Sequence, residues 1–152
     1  MNEIQWILFI DNRSFTRYNF SERSWLHEYY ETKITKDFDK QAADYDTNIQ
    51  GEHARKLYKP IIENLKNKNI HSILDLGCGT GALLKEIKEL NIAEQLFGID
   101  ISPNMLEIAK NKLGNDATLI LGDSERLPFE DSSFDAIVCN DSFHSLSTTR
   151  LL

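Results

Sequence analysis

An apolar run that meets an acidic residue and then three glycines at every second position constrains this chain more than any other stretch of it. The run is Ile73-Leu74-Asp75-Leu76-Gly77-Cys78-Gly79-Thr80-Gly81, and helix-forming residues follow at once, Ala82-Leu83-Leu84-Lys85-Glu86. That order predicts a strand, a tight turn and the start of a helix. Glycine serves in such a turn because it takes φ > 0 cheaply and has no Cβ to hold a ligand off the backbone. The junction lets a nucleotide-like ligand lie directly against backbone N–H groups.

The rest of the chain supplies a setting for that junction. With 152 residues a single domain with its own apolar core is expected. Residues 1–34 are aromatic-rich and show no clear period, and they read as an N-terminal extension of uncertain structure. The unit proper is expected over 35–152. Ile34, Phe38, Ala42 and Tyr45 recur at spacings of three and four, and Leu57, Ile61, Ile62 and Leu65 mark a second amphipathic helix, with Pro60 a local irregularity or helix start. Strands are then predicted at 72–76, 95–100, 117–121 and 134–139. Helices are predicted at 81–90 and from Ser102-Pro103 to about Leu113, where Gly114 stops the second. Strands alternating with helices imply an α/β fold with right-handed crossovers and a parallel sheet.

Charge and cysteine usage narrow the partners. A net charge of −7 argues against a nucleic acid held through its phosphates and against a basic membrane-surface helix. Small molecules and proteins remain. The apolar stretch Trp6–Ile10 is too short to span a bilayer and lacks a basic flank, so neither a membrane segment nor a secretory signal is expected. Cys78 and Cys139 are far apart and form no Cys-x-x-Cys pair, which suggests no metal site and fits a reducing cytoplasm.

The glycine loop alone leaves its ligand open, because Gly77-Cys78-Gly79-Thr80-Gly81-Ala82 also satisfies the dinucleotide pattern Gly-x-Gly-x-x-Ala. Three carboxylates separate the readings. Asp75 lies two residues before the first glycine, where it would oppose a pyrophosphate but could accept from an ammonium group, directly or through water. The alternative role is to accept backbone N–H bonds within the turn. Asp100 ends the second predicted strand, 19 residues after Gly81, where it can accept both hydroxyls of a ribose or support the helix start at Ser102-Pro103. Asp123 follows the third strand in Gly122-Asp123-Ser124-Glu125-Arg126-Leu127-Pro128-Phe129, where a carboxylate can accept from an exocyclic adenine amine.

Residues 36–144 resemble a class I S-adenosylmethionine-dependent methyltransferase of the small-molecule type, similar in pattern to those of the ubiquinone/menaquinone and biotin pathways. The resemblance rests on Leu74–Gly81, on Phe97-Gly98-Ile99-Asp100-Ile101-Ser102-Pro103-Asn104-Met105-Leu106, and on the loop from Gly122 to Phe129. It rests also on the strand Phe134–Asn140 and on Phe38-Asp39-Lys40-Gln41-Ala42-Ala43-Asp44-Tyr45-Asp46, which resembles a segment that caps the cofactor. It implies a Rossmann-like parallel sheet, incomplete, of about four strands in the order 3-2-1-4 with N-terminal helices, and S-adenosyl-L-methionine as cofactor. It further implies that Gly77, Gly79 and Gly81 face the cofactor's amino-acid portion, with Asp75 near its ammonium, and that Asp100 holds the ribose. Met105 would pack on the adenine, Asp123 and Ser124 would contact its edge, Asn140 would lie near the methionine moiety, and Tyr45 would close over it.

Methyl transfer needs a general base only when the acceptor must lose a proton, and His144, shortly after the fourth strand, is the candidate near the expected site. The family fold has seven strands, so the chain reads as a C-terminally truncated domain. The fourth strand would then be an exposed apolar edge through which copies could associate. Three functions are carried forward: a methyltransferase acting on a small-molecule acceptor, a non-catalytic remnant that at most holds the cofactor, and a nicotinamide-dependent oxidoreductase.

Overall fold

The computed structural model describes the backbone at residues 6–10, 24–123 and 127–140 and the side chains at 32–123 and 127–140. The alternation expected from the sequence is present: β2 (Ile70–Leu76), α3 (Ala82–Glu89), β3 (Ala93–Asp100), α4 (Pro103–Leu113), β4 (Ala117–Leu121) and β5 (Ala136–Asn140). Ahead of it stand β1 (Trp6–Ile10), α1 (Ser24–Gln41) and α2 (Ile49–Leu65), so α1 crosses the boundary expected at residue 34. No helix among the described residues is long and apolar enough to cross a membrane.

All strand pairs are parallel, in the order β1-β5-β2-β3-β4. The four strands predicted from the sequence therefore lie in the expected 3-2-1-4 order, and β1 adds a fifth beside the last of them. This overturns one expectation. The fourth predicted strand is no exposed edge open to self-association, because β1 pairs along its full length from Trp6↔Ala136 to Ile10↔Asn140.

Local chemistry accounts for the element ends. β2 is buried at every position except His71, the near-continuous apolar reading of a central parallel strand covered on both faces. Ser102 caps α4 by accepting from the Met105 N–H at 3.1 Å, Pro103 opens the helix, and Gly114 ends it after Lys110 and Lys112 in the last turn. Asn48 caps α2 by accepting from the Gly51 N–H at 2.7 Å. Pro60 stands inside α2 rather than at its start, which removes one N–H from the helical ladder. The helical period does not carry through to Tyr45, since α1 ends at Gln41. The Asp44 carbonyl accepts from the N–H groups of Thr47 and Asn48, which turns the chain before α2.

Alternation along the strands sorts the core into two layers. Ile73, Ala136 and Val138 face one way, against Ile61, Leu65, Leu84, Ile87 and Leu113 of α2, α3 and α4. Leu74, Leu76, Ile137 and Cys139 face the other way with Ile99 and Phe134. There Phe97, Phe129 and Phe134 meet edge to face at centroid separations of 4.8–6.2 Å. Asp135 ties the entry of β5 to that of β2, its Oδ2 accepting from the His71 and Ser72 N–H groups at 3.0 and 2.8 Å and from Ser72 Oγ at 3.2 Å.

Candidate functional site

The chain runs β2, β3, β4 in one direction across the sheet and then returns to place β5 on the opposite side of β2. The carboxyl ends of β2 and β5 thus flank a topological switch point, the position at which open α/β sheets form a ligand crevice. Asp75, the glycine loop and Asn140 all stand at this rim, and Asp100 ends the neighbouring β3.

The loop has the conformation that its glycines predict, with φ of 71° at Gly77, 52° at Gly79 and 73° at Gly81. A Cβ on Gly81 would come within 2.8 Å of Leu113 Cδ1 and 3.0 Å of Ala109 Cβ, so this glycine lets α3 start against α4. A Cβ on Gly79 would meet nothing within 4 Å. That is the open cradle a ligand needs above the backbone. Gly98, which the sequence reading had used only as part of a motif, is required by packing. A Cβ there would lie 2.8 Å from Cys78 Sγ and 2.9 Å from Leu84 Cδ1, closing the space in which the loop crosses β3.

The two carboxylates divide their roles in an unexpected way. Accepting the loop's N–H groups falls not to Asp75 but to Asp100 and to the Ile99 carbonyl. Gly77 and Cys78 donate to Ile99 O at 2.8 and 3.1 Å, while Gly79 N–H donates to Asp100 Oδ2 at 2.8 Å. Asp100 Oδ1 accepts from Ser102 N–H at 2.9 Å, so this one side chain holds both the glycine loop and the turn into α4. Burial raises the Asp100 pKa above the ordinary carboxylate value despite these donors.

Asp75 is 2% exposed, and its Oδ1 accepts no hydrogen bond among the described residues. Burial first, and the nearby Asp100 carboxylate second, push its pKa well above the usual range. A buried acceptor without a donor is costly in a folded protein, and active or binding sites are where such costs concentrate. Tyr58 of α2 lies close enough for the Asp75 charge to add to burial in raising its phenol. Burial likewise raises the Cys78 thiol, which leaves it a small packing residue rather than a nucleophile.

The remaining candidates are placed as follows. Met105 lies in the first turn of α4 with its side chain 1% exposed. Asp123 follows β4 and is half-buried. Asn140 ends β5 and donates from Nδ2 to the Ala54 carbonyl of α2 at 3.1 Å. Tyr45 sits in the turn between α1 and α2, with its ring edge-on to Phe38 at 6.2 Å. Ser124 and His144 lie outside the described residues. No group of three or more His, Cys, Asp or Glu able to hold a metal ion occurs among the described residues.

The sequence reading did not single out the side chains of Asp39, Asp46, Thr80 or Lys112, which join segment 38–46, the end of α1 and the turn after it, to this rim. Thr80 Oγ1 donates to Asp46 Oδ1 at 2.5 Å and Lys112 Nζ to Asp46 Oδ2 at 2.7 Å. Ser102 Oγ donates to Asp39 Oδ1 at 2.5 Å. The resemblance of 38–46 to a cofactor-capping segment marked the region, but not the side chains that seat it.

Comparison with known proteins agrees with this geometry. A family model described as a methyltransferase domain matches residues 73–152, more than half of the chain, and the chain belongs to that family. It is 38% identical over 95 residues to a demethylmenaquinone methyltransferase of Thermotoga maritima, covering 62% of this chain and 41% of that protein. It is 36% identical over 126 residues to a malonyl-[acyl-carrier protein] O-methyltransferase of Legionella pneumophila, covering 79% and 43%. Among solved structures it resembles the plantazolicin methyltransferase BpumL, determined in complex with a triazolic desmethylPZN analog and SAH, at a TM-score of 0.52 and 26% identity over 74% of this chain and 47% of that one. The chain thus spans less than half the length of each of these proteins. The nicotinamide-dependent oxidoreductase entertained on the glycine pattern alone gives way to the methyltransferase family.

Proposed function

We propose that this chain is the S-adenosylmethionine-binding part of a methyltransferase that acts on a small-molecule acceptor. The carrying observation is the pairing of an open glycine cradle with a buried carboxylate, one oxygen of which, Asp75 Oδ1, accepts no hydrogen bond among the described residues, at the switch point of the sheet. A cationic amino-acid ligand fits that pair: its ammonium donates to Asp75 Oδ1, and its main chain lies over Gly79 without meeting a Cβ. Gly77 and Gly81 shape the same cradle. Asp100 Oδ2 accepts the Gly79 N–H and Oδ1 the Ser102 N–H, and the acceptor capacity left on the carboxylate is assigned to a ribose hydroxyl. Met105, Asp123 and Ser124 are assigned to the adenine, Asn140 to the methionine moiety, and Tyr45 to closure over it.

When bound, the cofactor supplies an activated methyl group on a sulfonium, displaced in line by the acceptor. The work left to the protein is orientation and exclusion of water. Asp100 and the glycine loop fix the donor's position, and Asp75 fixes its charged end. His144 is assigned as the base for acceptors that must lose a proton. The buried, reduced thiols of Cys78 and Cys139 support a cytoplasmic setting.

Calorimetric titration of the chain with S-adenosylmethionine, S-adenosylhomocysteine and NAD tests the reading. Binding of both adenosyl compounds without NAD is the expected result, and NAD binding alone would sink it.

A further inference from the structure

The segment between α1 and α2 is built as a unit and then tied down elsewhere. Arg55 donates from Nη1 to the Tyr45 carbonyl at 2.8 Å and from Nη2 to the Asn48 carbonyl at 2.9 Å. Asn48 Nδ2 donates to Asp44 Oδ1 at 3.1 Å, and Thr47 Oγ1 to the Asp44 carbonyl at 3.0 Å. These bonds give the turn its own shape but say nothing of where it sits. Its external anchor is a three-way contact. Asp46 accepts from Thr80 in the glycine loop and from Lys112 in the last turn of α4, and Lys112 Nζ also donates to Thr80 Oγ1, at 3.2 Å. A second tie lies seven residues earlier, where Asp39 accepts from Ser102 Oγ and from Asn104 N–H at 3.3 Å, and its carbonyl accepts from Asn104 Nδ2 at 3.2 Å.

We propose that Lys112 is a positioning residue that acts through Asp46 and Thr80. It latches the Tyr45-bearing turn onto the glycine loop and so slows the escape of the ligand held there. The inference rests on the cofactor reading above for what is retained, and on the geometry alone for the latch. Thr80 lies between Gly79 and Gly81, so the bond that seats the turn is made to the cradle itself. The Lys112 side chain is 18% exposed and that of Asp46 42%, which leaves the pair partly shielded from solvent and distinct from the open surface pairs such as Lys56–Glu52. Burial works to raise the Asp46 pKa, yet the bonds from Lys112 and Thr80 outweigh it and hold the carboxyl below its ordinary value. The latch is therefore charged at neutral pH. Ser102 and Asp39 tie the end of α1 to the start of α4. Among the described residues the turn meets the glycine loop at Asp46, where Thr80 bonds the carboxylate directly and Lys112 bridges the carboxylate and the Thr80 hydroxyl.

The experiment compares the full chain with K112M, K112R, D46N and the double variant K112M/D46N. Amide hydrogen exchange over residues 42–48, measured without ligand, reads the latch. Stopped-flow dissociation of S-adenosylhomocysteine reads its consequence. K112M is expected to raise exchange and speed dissociation by about two- to fivefold, the upper part of the range measured for ion pairs that keep some contact with solvent. K112R is expected to restore both, D46N to match K112M, and the double variant to add nothing further. Unchanged exchange in K112M, or additive effects of K112M and D46N, would overturn the latch. Altered exchange with unaltered dissociation would overturn its role in retention. A wild-type chain that binds no S-adenosylhomocysteine overturns the cofactor reading, and with it the retention role, while exchange still decides the latch.

Discussion

Asp75 shows what a single residue can cost. Its carboxyl is buried beside another acid, and its folded pKa lies above the unfolded one. For such a group stability is greatest below the unfolded carboxylate pKa, near 4, and falls as pH rises from there toward the folded value. Asp75→Asn cannot titrate and escapes that fall. The variant is therefore expected to exceed the wild type in stability by about 1–3 kcal/mol at pH 8 and by less at pH 5, as read by denaturant unfolding. The same change is expected to abolish S-adenosylmethionine binding in calorimetry. Loss of binding without a gain in stability would mean that Asp75 is better accommodated than its surroundings indicate. A strained site residue that favours function over folding is the expected form of this trade-off.

At the level of elements, the sheet is held at its entry as well as at its functional rim. Asp135 receives two backbone N–H groups and a hydroxyl from the start of β2. Chiefly through the Ser72 N–H, its pKa is lowered from the model-compound value of 3.8. Its contribution is present above that unfolded value and is lost as pH falls through the lower folded one. Asp135→Asn is expected to lower stability slightly at pH 7 and to flatten the acid limb of the stability curve below about pH 4, where the two proteins converge, as measured by circular dichroism. The effect is modest because the carboxylate faces solvent. The elements from β2 to β5 were legible because buried parallel strands read as short apolar runs bounded by glycine, proline and acidic residues. The three carboxylates were legible for the same reason, since strand ends place them. Tyr45 was misassigned to a helix because the spacing of Ile34, Phe38 and Ala42 continues to it, while the Asp44 carbonyl that turns the chain leaves no periodic trace. Lys112 and Asp46 were silent because each is an ordinary surface type whose partner is 66 residues away.

For the whole molecule the informative strand is β1. Five apolar residues amid unpatterned aromatics carry no signal for a partner, and that partner, β5, lies at the far end of the chain. Without β1 the apolar residues of β5 would stand at a sheet edge, which is a template for pairing between copies. Deleting residues 1–10 is expected to raise concentration-dependent association relative to the full chain in sedimentation velocity. A variant that associates no more than the full chain would show that something other than β1 guards this edge. The register Trp6↔Ala136 also has a consequence in time. The first of the described strands is joined to the last of them, and at a synthesis rate of ~5–20 residues per second the wait for its partner lasts roughly 6–26 s. Throughout that interval the nascent chain carries an unsatisfied apolar strand, the kind of segment that chaperones shield during synthesis.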